Sequence, residues 1–235
     1  MASTVENSFG ARLARAQKML GCISTFQNFT PPRYEETPAG LSDLINQIIA
    51  LNQEETSLEQ QYNLMVKTRE NLFYEDAYCI TKLLAMIRGS VEAQYGKDSI
   101  EFKQVDAGVR QLRTKGPATK AATADMPESK VSQSERSYGS LTQYFSDLVT
   151  VLSQLPGFNS SNPVLQLSNL QSLVVQANQL ALEVAMRRQS LTNCRDRRRD
   201  AYKELKSRGS RIKAYTKSNY GLSSSEYKQI KGIAL

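Results

Sequence analysis

The side chains with the clearest capacity for chemistry are twelve basic residues in the second half of the chain. Residues 186–235 hold 14 Lys and Arg against 4 Asp and Glu, whereas residues 61–110 hold seven of each sign. Several recur at helical spacing, and cationic groups so placed attract phosphates or carboxylates. The candidate contacts for a polyanion or an acidic partner are Arg187, Arg188, Arg195, Arg197, Arg198, Arg199, Lys203, Lys206, Arg208, Arg211, Lys213 and Lys217.

Three interpretations of this basic segment are open. It could bind nucleic-acid phosphate or an anionic membrane surface, or it could bind an acidic protein. It could instead be a solvated face that pairs with carboxylates of the first half, such as Glu54, Glu55 and Glu59 or Glu70, Glu75 and Asp76. Charge runs on long helices are most often solvated faces, which favours the last interpretation. No known nucleic-acid-binding motif accompanies the charge.

Most catalytic chemistries lack their residues. The chain contains no histidine, which excludes Ser-His-Asp and Cys-His catalysis and every histidine-ligated metal site. Its cysteines, Cys22, Cys79 and Cys194, are widely spaced and form no CxxC, so neither a disulfide framework nor a structural zinc site is expected. Nucleotide-binding glycine motifs are absent from the sequence. We therefore predict no catalytic, cofactor-binding or metal site, and no enzyme activity.

An internal repeat is the strongest organising feature. Two segments 125 residues apart share a motif that places glycine at the end of a helix, followed by a serine cap and a packed aromatic. Its members are Tyr95, Gly96, Ser99, Glu101 and Phe102 in the first half, and Tyr220, Gly221, Ser224, Glu226 and Tyr227 in the second. Upstream, residues 41–44 match residues 167–170 at an offset of 126. This motif resembles the helix ending found in some bacterial helical proteins, and the resemblance implies no function.

The domain boundaries follow from the repeat. We predict a first helical repeat over residues 1–110, a flexible polar linker over 111–135 and a basic second repeat over 136–235. The linker contains almost no large apolar side chain, so burial cannot offset the entropy of ordering it. The two repeats are expected to pack together as one pseudo-symmetric bundle, as an internalised homodimer.

The apolar spacing predicts an all-α fold, an elongated bundle related to coiled coils. Each repeat is expected to hold a short helix, a long helix of roughly 50 residues and the capping turn. The competing form of the long helix is a helical hairpin, with a turn near 52–55 or 192–195. In the second repeat only Gly209 interrupts the pattern, and a lone glycine costs a helix about 1 kcal/mol.

The function predicted from these features is a non-enzymatic scaffold or adaptor within a larger assembly. Protein partners or self-association are expected, and no small-molecule substrate or cofactor is evident. The alternative is a nucleic-acid-associated protein that uses the basic second repeat. The sequence has neither a secretory leader nor an apolar run long enough to span a bilayer, so we expect a cytoplasmic protein.

Overall fold

The computed structural model describes residues 8–113 and 133–235, which are helical and contain no strand. The all-α prediction is therefore confirmed. The helices are α1 (Phe9–Ile23), α2 (Pro38–Glu70), α3 (Ile80–Tyr95), α4 (Ile100–Arg113), α5 (Gln133–Gln154), α6 (Leu167–Tyr220) and α7 (Ser225–Ile230). Single 3₁₀ turns, Tyr34–Glu36 and Pro163–Leu165, precede α2 and α6.

The described residues divide into two compact units. The terminal unit comprises the residues up to Gln60 together with Gln189–Leu235, and the central unit comprises the described part of Gln61–Arg188. These units do not coincide with the two predicted repeats, because each joins the beginning of one to the end of the other. Most of the predicted linker, residues 114–132, lies outside the described residues.

The terminal unit buries one face each of α1, α2 and α6 together with the C-terminal residues. Helix α1 begins where Ser8 Oγ accepts a hydrogen bond from the Ala11 amide, and α1 packs against α7. Its core is formed by Ala16, Met19, Ile23, Leu41, Leu44, Ile45, Ile48, Leu51, Cys194, Ala201, Tyr202, Leu205, Ile212, Ile230 and Ile233. The steps of three, four and seven residues that predominate within these helices are those of an amphipathic stripe.

The central unit is built on α3, α4 and α5, with α4 packed against both of the others. Phe145, Leu148 and Leu152 of α5 are buried, as their spacing predicts. The core also contains Leu72, Phe73, Ile80, Leu83, Leu84, Ile87, Val91, Phe102, Val105, Val109, Leu112, Val149, Leu155, Leu165, Leu170 and Ala177.

A buried carboxylate ties α3 to α4 in this unit. Asp106 accepts hydrogen bonds from Arg88 Nε and Arg110 Nη2, each at 2.7 Å. The hydrogen bond from Arg88 is the main cause of a lowered pKa for Asp106. Because the charged carboxylate is the bonded form, folding favours its ionisation.

We expect this carboxylate to make the central unit acid-sensitive. The Asp106 pKa is lower in the folded chain than its ordinary value of 3.8, which applies to the unfolded chain. Its stabilisation is therefore complete above that value and is lost as the pH falls through the lower, folded pKa. The melting temperature of Asp106→Asn should fall less than that of the wild type between about pH 5 and 2. Circular dichroism melts test this, with the exposed Asp98→Asn as control; equal acid profiles for Asp106→Asn and the wild type would contradict it.

The prediction of one continuous long helix is wrong for the first repeat. Helix α2 ends at Glu70, continues as a π-helical turn over Asn71–Glu75 and breaks before α3. Lys82 Nζ donates hydrogen bonds to the carbonyls of Glu75 and Asp76, at 3.0 and 2.9 Å, and Thr81 Oγ1 donates to the Phe73 carbonyl. Side chains satisfy the carbonyls freed at the break, so the helix ends without glycine or proline.

The second repeat does contain the predicted long helix. Helix α6 runs without interruption for 54 residues, and neither 52–55 nor 192–195 forms the turn of a hairpin. Gly209 lies in its interior for a packing reason. A Cβ at this position would lie 2.4 Å from Leu235 Cδ1, so the missing side chain makes room for the C-terminal leucine.

Candidate functional site

The twelve predicted basic residues all lie on α6, and most contact groups of this same chain. Three arginines of the terminal unit form ion pairs with α2. Arg195 contacts Glu55 at 2.9 Å and Glu59 at 3.0 Å. Arg198 also pairs with Glu55, and Arg197 pairs with Glu54. These are the carboxylates named by the interpretation of a face that pairs with the first half of the chain.

Glu55 is the centre of a partly buried polar cluster. It is only 8% exposed and accepts from both Arg195 and Arg198. The Arg198 guanidinium lies over the Phe9 ring, 4.3 Å from its centroid. Tyr202 also packs on Phe9, with its ring centroid 4.6 Å from that of Phe9 and its hydroxyl donating to the Phe9 carbonyl at 3.0 Å. The cluster therefore fixes the start of α1 against α6.

A second cluster holds the 3₁₀ turn before α2. Arg211 pairs with the buried Glu36 and with Glu204, and Arg208 contacts Glu204 at 2.8 Å. Arg208 Nη1 also donates to the Gly40 carbonyl at 3.0 Å. Hydrogen bonds from Arg208 and Arg211 hold the Glu204 pKa below its ordinary value, the one from Arg208 being the stronger cause. These arginines are structural cross-links that join α6 to the 3₁₀ turn and to the first turn of α2.

Four further members of the set have other surroundings. Arg199 pairs with Asp196 at 2.9 Å and Lys203 pairs with Asp200 at 3.1 Å, both within α6. In the central unit, Arg187 donates to Gln61 Oε1 at 2.7 Å, and Arg188 is half-buried. Exposed pairs of this kind contribute little stability, about 0–1 kcal/mol each, but they do reduce the positive charge that an outside anion would meet.

Three lysines remain outside these pairs. Among the residues that the structure describes, Lys206, Lys213 and Lys217 have neither an ion pair nor a hydrogen bond from the side chain. Lys206 and Lys217 are exposed, and Lys213 is half-buried. Desolvation lowers the pKa of Lys213. The structure thus reduces a twelve-residue candidate surface to three cations without a partner in the described part of the chain.

The two copies of the capping motif have the same local geometry. Gly96 has φ of 86° and Gly221 has φ of 92°, a left-handed region that suits glycine. The serine that follows caps the next helix in each case: Ser99 Oγ accepts from the Phe102 amide at 3.0 Å, and Ser224 Oγ from the Tyr227 amide at 3.1 Å. Glu101 and Glu226 lie in the first turns of α4 and α7.

The tyrosine of each motif contacts a distant loop. Tyr95 OH donates to the Pro156 carbonyl at 3.0 Å in the central unit. Tyr220 OH donates to the Gln27 carbonyl at 2.6 Å in the terminal unit. Both carbonyls lie in the loop that directly follows a first helix, α5 or α1. The motif is therefore a structural element that fastens a helix end to a loop.

A groove of about 540 Å³ lies between α2 and α6 in the terminal unit. Leu44, Ala50, Leu51 and Ala201 form its apolar part. Each carboxylate that lines it is already in an ion pair: Glu54 with Arg197, Asp200 with Lys203, and Glu204 with Arg208. Within the described residues, no group of three or more Cys, Asp and Glu side chains is arranged to hold a metal ion.

An exposed apolar face on α6 is a feature that the sequence pattern did not single out. Val175, Leu182 and Met186 are 64%, 66% and 69% exposed in the central unit. They lie seven and four residues apart, on the face of α6 opposite the buried seam that includes Ala177 and Val184. Residues of the buried seam have the same spacing as those of the exposed row. The sequence alone therefore does not show which of the two rows faces solvent.

Comparison with protein-family models, with curated proteins and with solved structures finds no match to this chain. None of the helices in residues 8–113 and 133–235 is long and apolar enough to cross a membrane.

Proposed function

We propose that this protein is a non-enzymatic helical scaffold or adaptor that binds a protein partner through the exposed apolar face of α6. The observation that carries the proposal is the exposure of Val175, Leu182 and Met186, at 64–69% each. Their spacing places them within about 40° around the helix, over roughly 16 Å of its length. Burial of such a side chain stabilises a complex by about 1.5–3 kcal/mol.

The partner that fits this face is a helix with apolar residues at matching spacing. Apolar side chains at intervals of seven and four residues form a row along a helix that can pack against a similar row on a second helix. Polar residues Asn178 and Gln179 border the row and are exposed. An apolar centre with a polar border is typical of protein interfaces.

The non-enzymatic part of the proposal is supported by the state of the acidic residues. The carboxylates of the α2–α6 groove are paired with arginine or lysine, as is the buried Glu55. At least one oxygen of each of these side chains contacts a cation of the same chain, which gives the carboxylates a structural role. The whole chain also lacks histidine.

We further propose that the chain arose by tandem duplication, with the repeats exchanging their ends. Support comes from the two tyrosines, since Tyr95 of the first repeat contacts the loop after α5, and Tyr220 of the second contacts the loop after α1. Each unit then holds the first helix of one repeat and the capping motif of the other. This exchange agrees with an internalised homodimer.

The helix starts support the same duplication at an offset of 129 residues, in place of the offset of 126 at which residues 41–44 match residues 167–170. Asn28 and Gly157 have positive φ and follow the first helices, α1 and α5. The first backbone hydrogen bond of α2 runs from the Leu41 amide to the Thr37 carbonyl, and that of α6 runs from the Leu170 amide to the Gln166 carbonyl. The two bonds are separated by the same number of residues as Asn28 and Gly157. The offset between the two capping motifs is smaller. The first repeat therefore has four more residues between the start of α2 and its capping motif than the second has between the start of α6 and its own. The break between α2 and α3 accommodates them.

Photo-crosslinking tests the scaffold function. With p-benzoylphenylalanine at position 182, we expect a discrete adduct to one protein, or to a second copy, in the cells that produce the protein. Adding Val175→Asp and Met186→Asp should reduce the yield at least fivefold, because binding would bury the new charges. The matched control places the crosslinker at the exposed Gln176.

Two results would overturn the proposal. One is equal adduct yields at positions 176 and 182. The other is the absence of any adduct from a protein that mass photometry finds to be strictly monomeric. Circular dichroism of each variant verifies that its helices are retained.

A further inference from the structure

We propose that the C-terminal part of α6 binds the phosphate backbone of a nucleic acid through Lys206, Lys213 and Lys217. This inference is independent of the apolar face in the central unit, since the lysines lie in the terminal unit. It rests on the distribution of internal ion pairs, which leaves these three cations without a partner among the described residues.

The three lysines share one face of the helix. Steps of seven and four residues place them within about 40° around α6 and along roughly 16 Å of its axis. Over that length each strand of B-DNA presents about five phosphates. One rigid helix therefore carries three cations along a line that a phosphate backbone can follow.

The surroundings of the lysines allow a close approach. Ser210 lies between Lys206 and Lys213 on the same side of α6, and Ser218 follows Lys217. Both serines are exposed and short. Phosphate oxygens are contacted mainly by lysine, arginine and small hydroxyl side chains, and such contacts carry no base specificity.

Lys213 is the best positioned of the three. Its stem is half-buried and its pKa is lowered by desolvation. A half-buried side chain has less conformational freedom to lose when it binds a ligand than a fully exposed one. A phosphate beside it would compensate the charge.

The face lacks the features of a membrane-binding helix. Such helices place large apolar residues next to their cations so that these residues enter the lipid. Between Met186 and Leu222, the described structure has no exposed large hydrophobic residue. The exposed neighbours on this side of α6 are instead Ser207, Ser210 and Ala214. The surface chemistry therefore favours nucleic acid over lipid.

Salt-dependent binding of the full chain tests the proposal. Fluorescence anisotropy is measured with a labelled 20-base-pair DNA duplex and a 20-nucleotide RNA, from about 50 to 200 mM salt. The variant combines Lys206→Gln, Lys213→Gln and Lys217→Gln. If all three contact phosphates, the slope of log affinity against log salt should decrease in magnitude by about 2–3. Affinity at low salt should fall at least tenfold.

A matched control removes the same charge elsewhere, with Lys18→Gln, Lys97→Gln and Lys103→Gln. It should retain at least half of the wild-type affinity. Because five of the six lysines are exposed and Lys213 is half-buried, both variants should keep a melting temperature close to that of the wild type. The single substitution Lys217→Gln, at an exposed position, provides a milder test.

Three results would overturn the proposal. The first is no binding by the wild type to DNA or RNA at about 50 mM salt. The second is an equal loss in the control. The third is lysine-dependent flotation with vesicles of phosphatidylcholine and phosphatidylserine, mixed at a molar ratio of about seven to three, without nucleic-acid binding. That result would assign the lysines to a membrane. The relative affinities for DNA and RNA identify the preferred backbone.

Discussion

Glu55→Ala is expected to lower the free energy of unfolding by about 3 kcal/mol, because breaking a buried ion pair from one side costs about 3–5 kcal/mol. Removing Glu55 leaves Arg198, 18% exposed, without a counter-charge among the described residues beside the Phe9 ring. The lower limit applies because Arg195, the second partner, is about half-exposed and regains water. Urea unfolding followed by far-ultraviolet circular dichroism measures the loss.

Glu59→Ala is the matched control for this substitution. Glu59 contacts the same Arg195 at 3.0 Å, but its side chain is 52% exposed. Exposed pairs contribute about 0–1 kcal/mol, so this variant should remain close to the wild type. Replacing both buried partners, with Glu55→Leu and Arg198→Met, should recover most of the stability. Similar losses for Glu55→Ala and Glu59→Ala would show that burial does not govern this cluster.

Gly40→Ala is expected to destabilise the terminal unit by about 2 kcal/mol net, as the difference between an overpacking cost and a gain in helix propensity. A Cβ at this position would lie 2.2 Å from the Tyr34 carbonyl oxygen and 2.8 Å from the Glu35 Cα. Both are backbone atoms, so the 3₁₀ turn must move, and with it the contacts of Arg208 and Arg211. Overpacking costs about 1–3 kcal/mol, and alanine returns up to about 1 kcal/mol as a better helix former.

Gly21→Ala in α1 is the control for this second prediction. Apart from its chain neighbours and the backbone of its own helix, no described atom lies within 4 Å of a Cβ built there. Alanine should therefore leave stability unchanged or raise it by up to about 1 kcal/mol. Thermal and urea unfolding of the two variants, compared with the wild type, measure both effects. A neutral Gly40→Ala variant would mean that the turn before α2 moves without cost.

The prediction from sequence was most successful where local spacing determines structure. The helical class, the helix-ending Gly96 and Gly221, and the serine caps Ser99 and Ser224 depend on residues within one or two turns. The unbroken course of α6 was also predicted from its stripe. These features follow from backbone preferences and short hydrogen bonds, which a sequence displays directly.

The break after α2 shows where local rules fail. No glycine or proline marks it, and the carbonyls it frees are satisfied by Thr81 and Lys82. A side-chain donor several residues away is a weak sequence signal, because lysine and threonine serve many other roles. The two compact units were not predicted from the sequence for a related reason. They depend on contacts between residues that are far apart in the chain, such as that of Tyr95 with Pro156.

By itself, the sequence determined the helical class, the repeated capping motif, the concentration of basic residues in the second half and the absence of histidine chemistry. Only the tertiary structure decided what the basic residues do. Three arginines of α6 contact carboxylates of α2 that are distant in sequence: Arg195, Arg197 and Arg198. Three lysines of the same helix contact no carboxylate among the described residues: Lys206, Lys213 and Lys217. The physical reason is that composition fixes how much charge a helix carries, whereas packing fixes which charges face a partner, which are desolvated and which remain free to bind.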